Sequence, residues 1–430
     1  METTAPVKKK RQRLSREKII QAALFAWRKT EYFSLTMESV AAELACSKPA
    51  LYRYFPSKDE LTDAVQEYAV EKVAQSITDF CGQSEKQALP TILENLLITI
   101  SRLTQAPESP AFCVVAGWYN LTPQQKSAVQ NSVHTLLLVL EQFKDLETAR
   151  FALFAAVFWT ASFFLSNKND SQAARSMYVE TCLQGIHNKN KQNDYSIRYD
   201  IIEKHFLPSF QEGHLQQNHI FAAIQETVAE FGIINTTVQK IADRVGMSVS
   251  SLYFYFSNRS EMLLHTLQNE RKYFKELFNP RMESFSGSPL EKVYGYFLAL
   301  ESYFQYNPEL ITVGHWLRSQ SFSRKNQDCA QFPEENQFPP FLNTCDPSWF
   351  SSAFSSTELL GFVQAYATHF HHFRDRSNTG FSEIDSLPYI RRKFHSLVFG
   401  FSAEHKNNNT SSQSTQQFTS AKDSGKGASL

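Results

Sequence analysis

Apolar residues recur every three or four positions along most of this chain, and alternating Val/Ile/Thr runs are absent. That pattern predicts an all-α protein. Ile19, Ile20, Ala23, Leu24 and Trp27 fall on one face of a first helix, which Ser15 caps and which runs to about Lys29. Thr36 caps a short second helix with Val40, Ala41 and Leu44 facing inward. A tight turn at Ala45 and Cys46 leads into a third helix over residues 47–55, and Ser57-x-x-Glu60 reads as a capping box opening a long fourth. Farther along, residues 151–165 and 171–186 read as two closing helices, and 358–374 with 384–401 hold the same place later in the chain. The run 151–165 is the most apolar of all, yet it is shorter than a membrane span and contains Thr160 and Ser162. It predicts a buried core helix.

The opening pattern occurs twice, 201 residues apart. Thr36, Val40, Ala41, Ser47, Leu51, Tyr52, Tyr54 and Phe55 recur as Thr237, Ile241, Ala242, Ser248, Leu252, Tyr253, Tyr255 and Phe256. Asn258-x-x-Glu261 stands where Ser57-x-x-Glu60 stood, so the caps repeat along with the apolar positions. Each copy has the text of a helix-turn-helix, and each is followed by a long, weakly patterned helical region. An internal repeat of this length sets the architecture. The expected parts are an arm over residues 1–13, a first helix-turn-helix domain over 14–65 and a first helical regulatory domain over 66–190. A polar linker over 191–213, with one short helix near residues 197–206, leads to the second helix-turn-helix domain, 214–264, and its regulatory domain, 265–402. Residues 403–430 make a polar tail expected to be disordered.

A chain of 430 residues is too long for one core, and 42 % hydrophobic content is that of a globular protein. Six cysteines without a CxxC pair point to reduced thiols and a cytoplasmic setting; the basic start lacks the apolar stretch of a signal peptide. Net charge is zero, but it is unevenly spread. Residues 1–60 hold twelve Lys/Arg against seven Asp/Glu, whereas 214–262 hold three against four. Only the first copy is electrostatically prepared for a polyanion.

A recognition helix puts its N-terminal residues at base edges in the major groove while the preceding helix crosses the phosphates. In copy one that end offers Ser47, Lys48, Pro49, Tyr52 and Arg53. Lys and Arg read guanine or hold phosphate, and a Tyr hydroxyl holds phosphate. Thr36, at a helix N-terminus, adds a hydroxyl and backbone N–H groups, and Lys58 opens the fourth helix. Lys8, Lys9, Lys10, Arg11 and Arg13 form an arm able to track the backbone or enter the minor groove. Thr237, Ser248, Ser250, Tyr253 and Arg259 hold corresponding places in copy two. Leu51, Tyr54, Phe55, Tyr255 and Phe256 are assigned to the fold core.

The two stretches resemble the helix-turn-helix domain of the tetracycline-repressor (TetR) family of transcriptional regulators. The resemblance rests on Ala22-Ala23, Thr36, Val40-Ala41, Ser47 and Leu51-Tyr52-x-Tyr54-Phe55-x-x-Lys58-x-Glu60-Leu61. Its second instance is Ala222-Ala223, Phe231-Gly232, Thr237, Ile241-Ala242, Gly246-x-Ser248 and Leu252-Tyr253-x-Tyr255-Phe256-x-x-Arg259-x-Glu261-Met262. It implies a ligand-binding and dimerisation domain behind each module, with pairing through the last two helices of each. Glu31 and Ala45 stand where the family usually has glycine, while copy two keeps Gly232 and Gly246. Copy two in turn has Val249 for Lys48 and Phe254 for Arg53. The scaffold is kept and the phosphate contacts are thinned.

Other constellations carry less. His369, His371 and His372 share one helix but give only one adjacent pair, so no metal is expected. The aromatic groups Phe154, Phe158, Trp159, Phe163, Phe164 and Tyr294, Phe297, Tyr303, Phe304, Tyr306, Trp316 read first as core or helix interface and second as ligand lining. No nucleophile–base set, phosphate loop or paired carboxylates are seen, so no enzyme and no cofactor are expected. The expected protein is a repressor that binds double-stranded DNA and is released by a small apolar or aromatic effector. Its two halves pair within one chain, or two chains form a homodimer. The competing reading is a sensor or interaction protein whose modules survive as scaffold.

Overall fold

Helix starts are set by local capping chemistry, and the computed structural model shows side-chain caps at Thr36, Ser57, Thr122, Asn218, Thr237, Ser248, Asn258 and Ser288. It describes residues 14–29, 35–104, 121–165, 172–188, 196–211, 218–323, 339–369 and 387–402. The first module comprises α1 (Arg16–Lys29), α2 (Met37–Glu43) and α3 (Lys48–Tyr52). The long α4 (Lys58–Ser84) leads into α5 (Leu89–Thr104), α6 (Pro123–Glu141), α7 (Leu146–Leu165) and α8 (Gln172–Gln184). Then come α9 (Tyr199–Phe206) and the single turn α10 (Pro208–Gln211). The second module follows as α11 (His219–Asn235), α12 (Val238–Val245) and α13 (Val249–Tyr255). Its helical region is α14 (Arg259–Glu283), α15 (Pro289–Tyr306), α16 (Pro308–Ser323), α17 (Ser356–His369) and α18 (Leu387–Phe399). The fold is all-α: no strand occurs among the described residues, which hold one isolated bridge, His187 to Phe350. Among the same residues no helix is long and apolar enough to cross a membrane.

The differences from the pattern have local causes. The third helix stops at Tyr52, and Phe55 turns inward beyond it, completely buried. Ser57 accepts from the Glu60 amide, but the return arm of the expected box is missing. The Glu60 carboxylate reaches Arg16 instead, at 3.4 Å. In copy two Glu261 returns to the Ser257 amide and hydroxyl. Pro56, the counterpart of Ser257, has no N–H to donate to Glu60.

Within the stretch read as linker, α9 and α10 pack on α15 as part of the second helical body. Ile202, Phe206 and Phe210 are buried, and Phe206 fills the space that Gly295 leaves by lacking a side chain. Glu203 accepts from the Tyr294 hydroxyl at 2.7 Å and from Arg391 at 2.6 and 2.8 Å, tying α9 to α15 and α18. Ahead of α17 lie two 3-10 turns, Pro340–Thr344 and Pro347–Trp349, with Phe341, Leu342 and Phe350 buried. The arm, the tail, Glu31, His371 and His372 lie outside the described residues.

The two halves meet along α7 and α8 on one side and α17 and α18 on the other. Phe151, Phe154 and Phe158 pack on Phe362 and Tyr366, with ring centroids 4.9–6.0 Å apart. These are aromatics at the helix interface, as the sequence indicated. At the end of this seam α8 and α18 stop in glycines with φ of +69° and +53°, Gly185 and Gly400. A Cβ on either would strike the opposite backbone at 2.1 Å, so only glycine allows the two termini to come this close. Two backbone bonds cross there: the Ile186 amide donates to Leu397 O at 3.0 Å, and the Phe401 amide to Cys182 O at 2.9 Å. The two bonds interchange under one constant offset of 215 residues.

The cores are not equivalent. Module one has a separate core of Ile19, Ala23, Leu35, Val40, Leu51 and Phe55 with α4 residues, closed by Leu121 and Val129. Module two's Ile224, Ile241, Leu252 and Phe256 belong to the one large core running through the remaining helices.

Candidate nucleic-acid interface

In module one the polar row predicted to meet DNA stands outside that separate core. Thr36 is exposed and caps α2, exchanging hydrogen bonds with Ser39 at 3.1 and 3.2 Å. Ser47 caps α3 by position only: Pro49 supplies no N–H, and the hydroxyl makes no cap bond. Lys48 and Pro49 are exposed, and Lys48 is ion-paired with Glu38 on α2. Both partners of that pair are solvated, so it is a weak restraint that a phosphate can displace. Tyr52, Arg53 and Lys58 are exposed. Lys8, Lys9, Lys10, Arg11 and Arg13 lie outside the described residues.

Below that surface, Arg16 locks the recognition helix to α1. It donates to Tyr54 O at 2.6 Å and lies over the Phe55 ring at 4.1 Å. The Tyr54 hydroxyl donates to Leu14 O at 2.9 Å. Tyr54 is therefore half-buried, and its counterpart is not. Tyr255, assigned to the core with it, is 57 % exposed, and Phe254 is 87 % exposed. The correction follows from the helix start. Asn218 caps α11 at the Ile220 and Phe221 amides, so α11 begins later in the repeat than α1. No described residue takes the place of Leu14 over the second tyrosine.

Module two keeps the caps and turns its cations inward. Thr237 accepts from the Lys240 amide at 3.2 Å. The Ser248 hydroxyl is engaged by the Ser251 amide and hydroxyl, and Ser250 and Tyr253 are exposed. Lys240 donates to Asn235 O at 3.0 Å and sits 3.9 Å over the Phe231 ring, and Arg244 pairs with Glu226 and Glu230. Arg259, assigned to DNA as the counterpart of Lys58, is part-buried. It donates to Ile233 O and stacks 4.6 Å over Trp316 of α16. A side chain held this way is a structural strut. Sequence spacing does not show it, because its partners come from α11 and α16.

The turns between the second and third helices also differ. Gly246 caps α12 in the left-handed region at φ +76°, and Ala45 is in the same region at +49°. This backbone conformation, the two N-caps and the buried Leu/Phe pair behind each recognition helix place the same unit at both sites. The family model for bacterial regulatory proteins of the tetR family matches residues 19–65 and again 220–266. The chain carries two TetR-type modules in tandem. It is also similar to YvaF, an uncharacterized HTH-type transcriptional regulator of Bacillus subtilis (strain 168), at 35 % identity over 81 residues. That match covers 19 % of this chain and 43 % of the relative, so the chain spans less than half of the relative's length. Each TetR-type module is thus matched over its helix-turn-helix and the first turns of the helix that follows.

Proposed function

We propose that this protein is a sequence-specific DNA-binding transcriptional regulator of the cytoplasm, acting as a repressor that a small apolar or aromatic effector releases. The carrying observation is the exposed row Thr36, Ser47, Lys48, Tyr52, Arg53 and Lys58 on a module with its own core. Hydroxyls and cations at helix N-termini fit phosphates, and Lys48 and Arg53 fit guanine edges. Lys8, Lys9, Lys10, Arg11 and Arg13 add positive charge to the same module. In module two the inward cations favour a second reading, in which that module is mainly scaffold.

The crossed bonds at Gly185 and Gly400 support an intramolecular pseudo-dimer, because a twofold relation exchanges equivalent contacts in this way. Two modules that have diverged in sequence then read an asymmetric site, which an exact twofold dimer cannot do. The test compares Thr36→Ala with Tyr52→Ala against Thr237→Ala with Tyr253→Ala, in duplex titrations at fixed salt. The first pair is expected to cost about 1–3 kcal/mol of binding free energy and the second clearly less. Equal losses would overturn the assignment of affinity to module one.

A further inference from the structure

A cleft opens in the second helical region between α14, α15 and α16. Its lining is apolar at Phe274, Leu300, Tyr303 and Ile311, and two half-buried cations, Arg271 and Lys275, stand one turn apart on α14. The carboxylate in the same wall, Glu270, is already engaged by hydrogen-bond donors. Glu270 is 2 % exposed and accepts from the Gln225 side chain at 2.7 Å and from the Tyr303 hydroxyl. Gln225 lies on α11, the first helix of module two, so this wall of the cleft is bonded directly to the second helix-turn-helix unit.

The charge arrangement selects among ligands. Like charges four residues apart on a helix repel. Burial, and the neighbouring Arg271, hold the Lys275 ammonium below the usual lysine range. An anion set between them relieves that repulsion and is held by charge-assisted bonds, bidentate from the guanidinium. An amine would meet two cations at the same place, and an alcohol would gain nothing from them. We propose that the cleft binds an apolar carboxylic acid, its chain in the aromatic pocket and its carboxylate on Arg271 and Lys275. The site is coupled to module two through Glu270–Gln225 and through α16. That helix contributes Leu310, Ile311 and Gly314 to the cleft, packs on α11 and touches α1. The coupling rests on the regulatory reading above; the binding does not.

Calorimetric titration of the full chain with decanoate, decanol and decylamine tests the ligand class. Decanoate is expected to bind about tenfold or more tightly than decanol, and decylamine more weakly than either. Arg271→Ala with Lys275→Ala should bring decanoate down to decanol. Gly314→Leu should remove binding of all three, since a Cβ there meets only Leu267, at 3.8 Å, and the rest of the side chain fills the cleft. Decanol or decylamine binding as tightly as decanoate, or no binding at all, would overturn the proposal. For the coupling, decanoate should change amide exchange in α11 of the unmodified chain and leave it unchanged in Gln225→Met, with decanoate affinity retained. An unaltered response in that variant overturns the relay. None of these readouts uses DNA, so a chain that binds decanoate but no duplex refutes the regulator reading and leaves the site standing.

Discussion

Ala45 and Ser47, two residues apart, show how single side chains distinguish the two modules. Ala45 holds a left-handed conformation that Gly246 adopts without a Cβ penalty. Ala45→Gly is therefore expected to stabilise module one by about 0.5–1 kcal/mol, and Gly246→Ala to cost a similar amount, in chemical denaturation. A loss of stability in Ala45→Gly would show that the alanine methyl makes a contact worth more than the strain. Ser47 and Ser248 occupy the same cap, but the first hydroxyl makes no cap bond, the Ala50 amide donating to the Ser47 carbonyl, while the second is held by Ser251. Ser47→Ala should thus weaken duplex binding with little effect on folding. Ser248→Ala should cost about 1 kcal/mol of stability, the usual worth of an N-cap, with a smaller effect on binding. Thermal unfolding and duplex titration on the same samples separate the two.

Helix starts were legible in the sequence because a cap is a local device: Thr36, Ser57, Thr237 and Asn258 each bond an amide two or three residues on. What was not legible depends on partners from distant elements. The part-buried place of Arg259 needs Trp316, the exposure of Tyr255 depends on where α11 begins, and α9 is held by Tyr294 and Arg391. Another such partnership ties α15, α17 and α18 together. Lys393, 1 % exposed, donates to Glu301 at 2.5 Å and to Ala367 O at 3.1 Å, above the rings of Phe297 and Tyr366. Removing one member of a buried pair leaves the other charge without its counter-ion. Lys393→Met alone should therefore destabilise the chain by about 3–5 kcal/mol. Lys393→Met with Glu301→Leu should recover most of that loss, measured in a denaturant double-mutant cycle. A double variant no better than the single would mean that packing, not charge, sets the cost.

At the scale of the whole molecule, the seam from Phe151 to Gly400 buries aromatic faces that neither half hides alone. This burial supports the proposed pairing within one chain. Sedimentation of the free protein is expected to give a single species of 49.3 kDa across the accessible concentration range. A stable particle of twice that mass would replace the pseudo-dimer with an intermolecular one. The covalent link between the halves, described above only as a short helix packed on α15, has a further consequence for dosage. A regulator assembled from two separate chains is diluted into inactive subunits when few copies are present, so its active fraction falls as expression falls. Here the second half is always at the high effective concentration set by the tether. On the pseudo-dimer proposed above, the number of active molecules is simply proportional to the number made, down to a single copy in a cell.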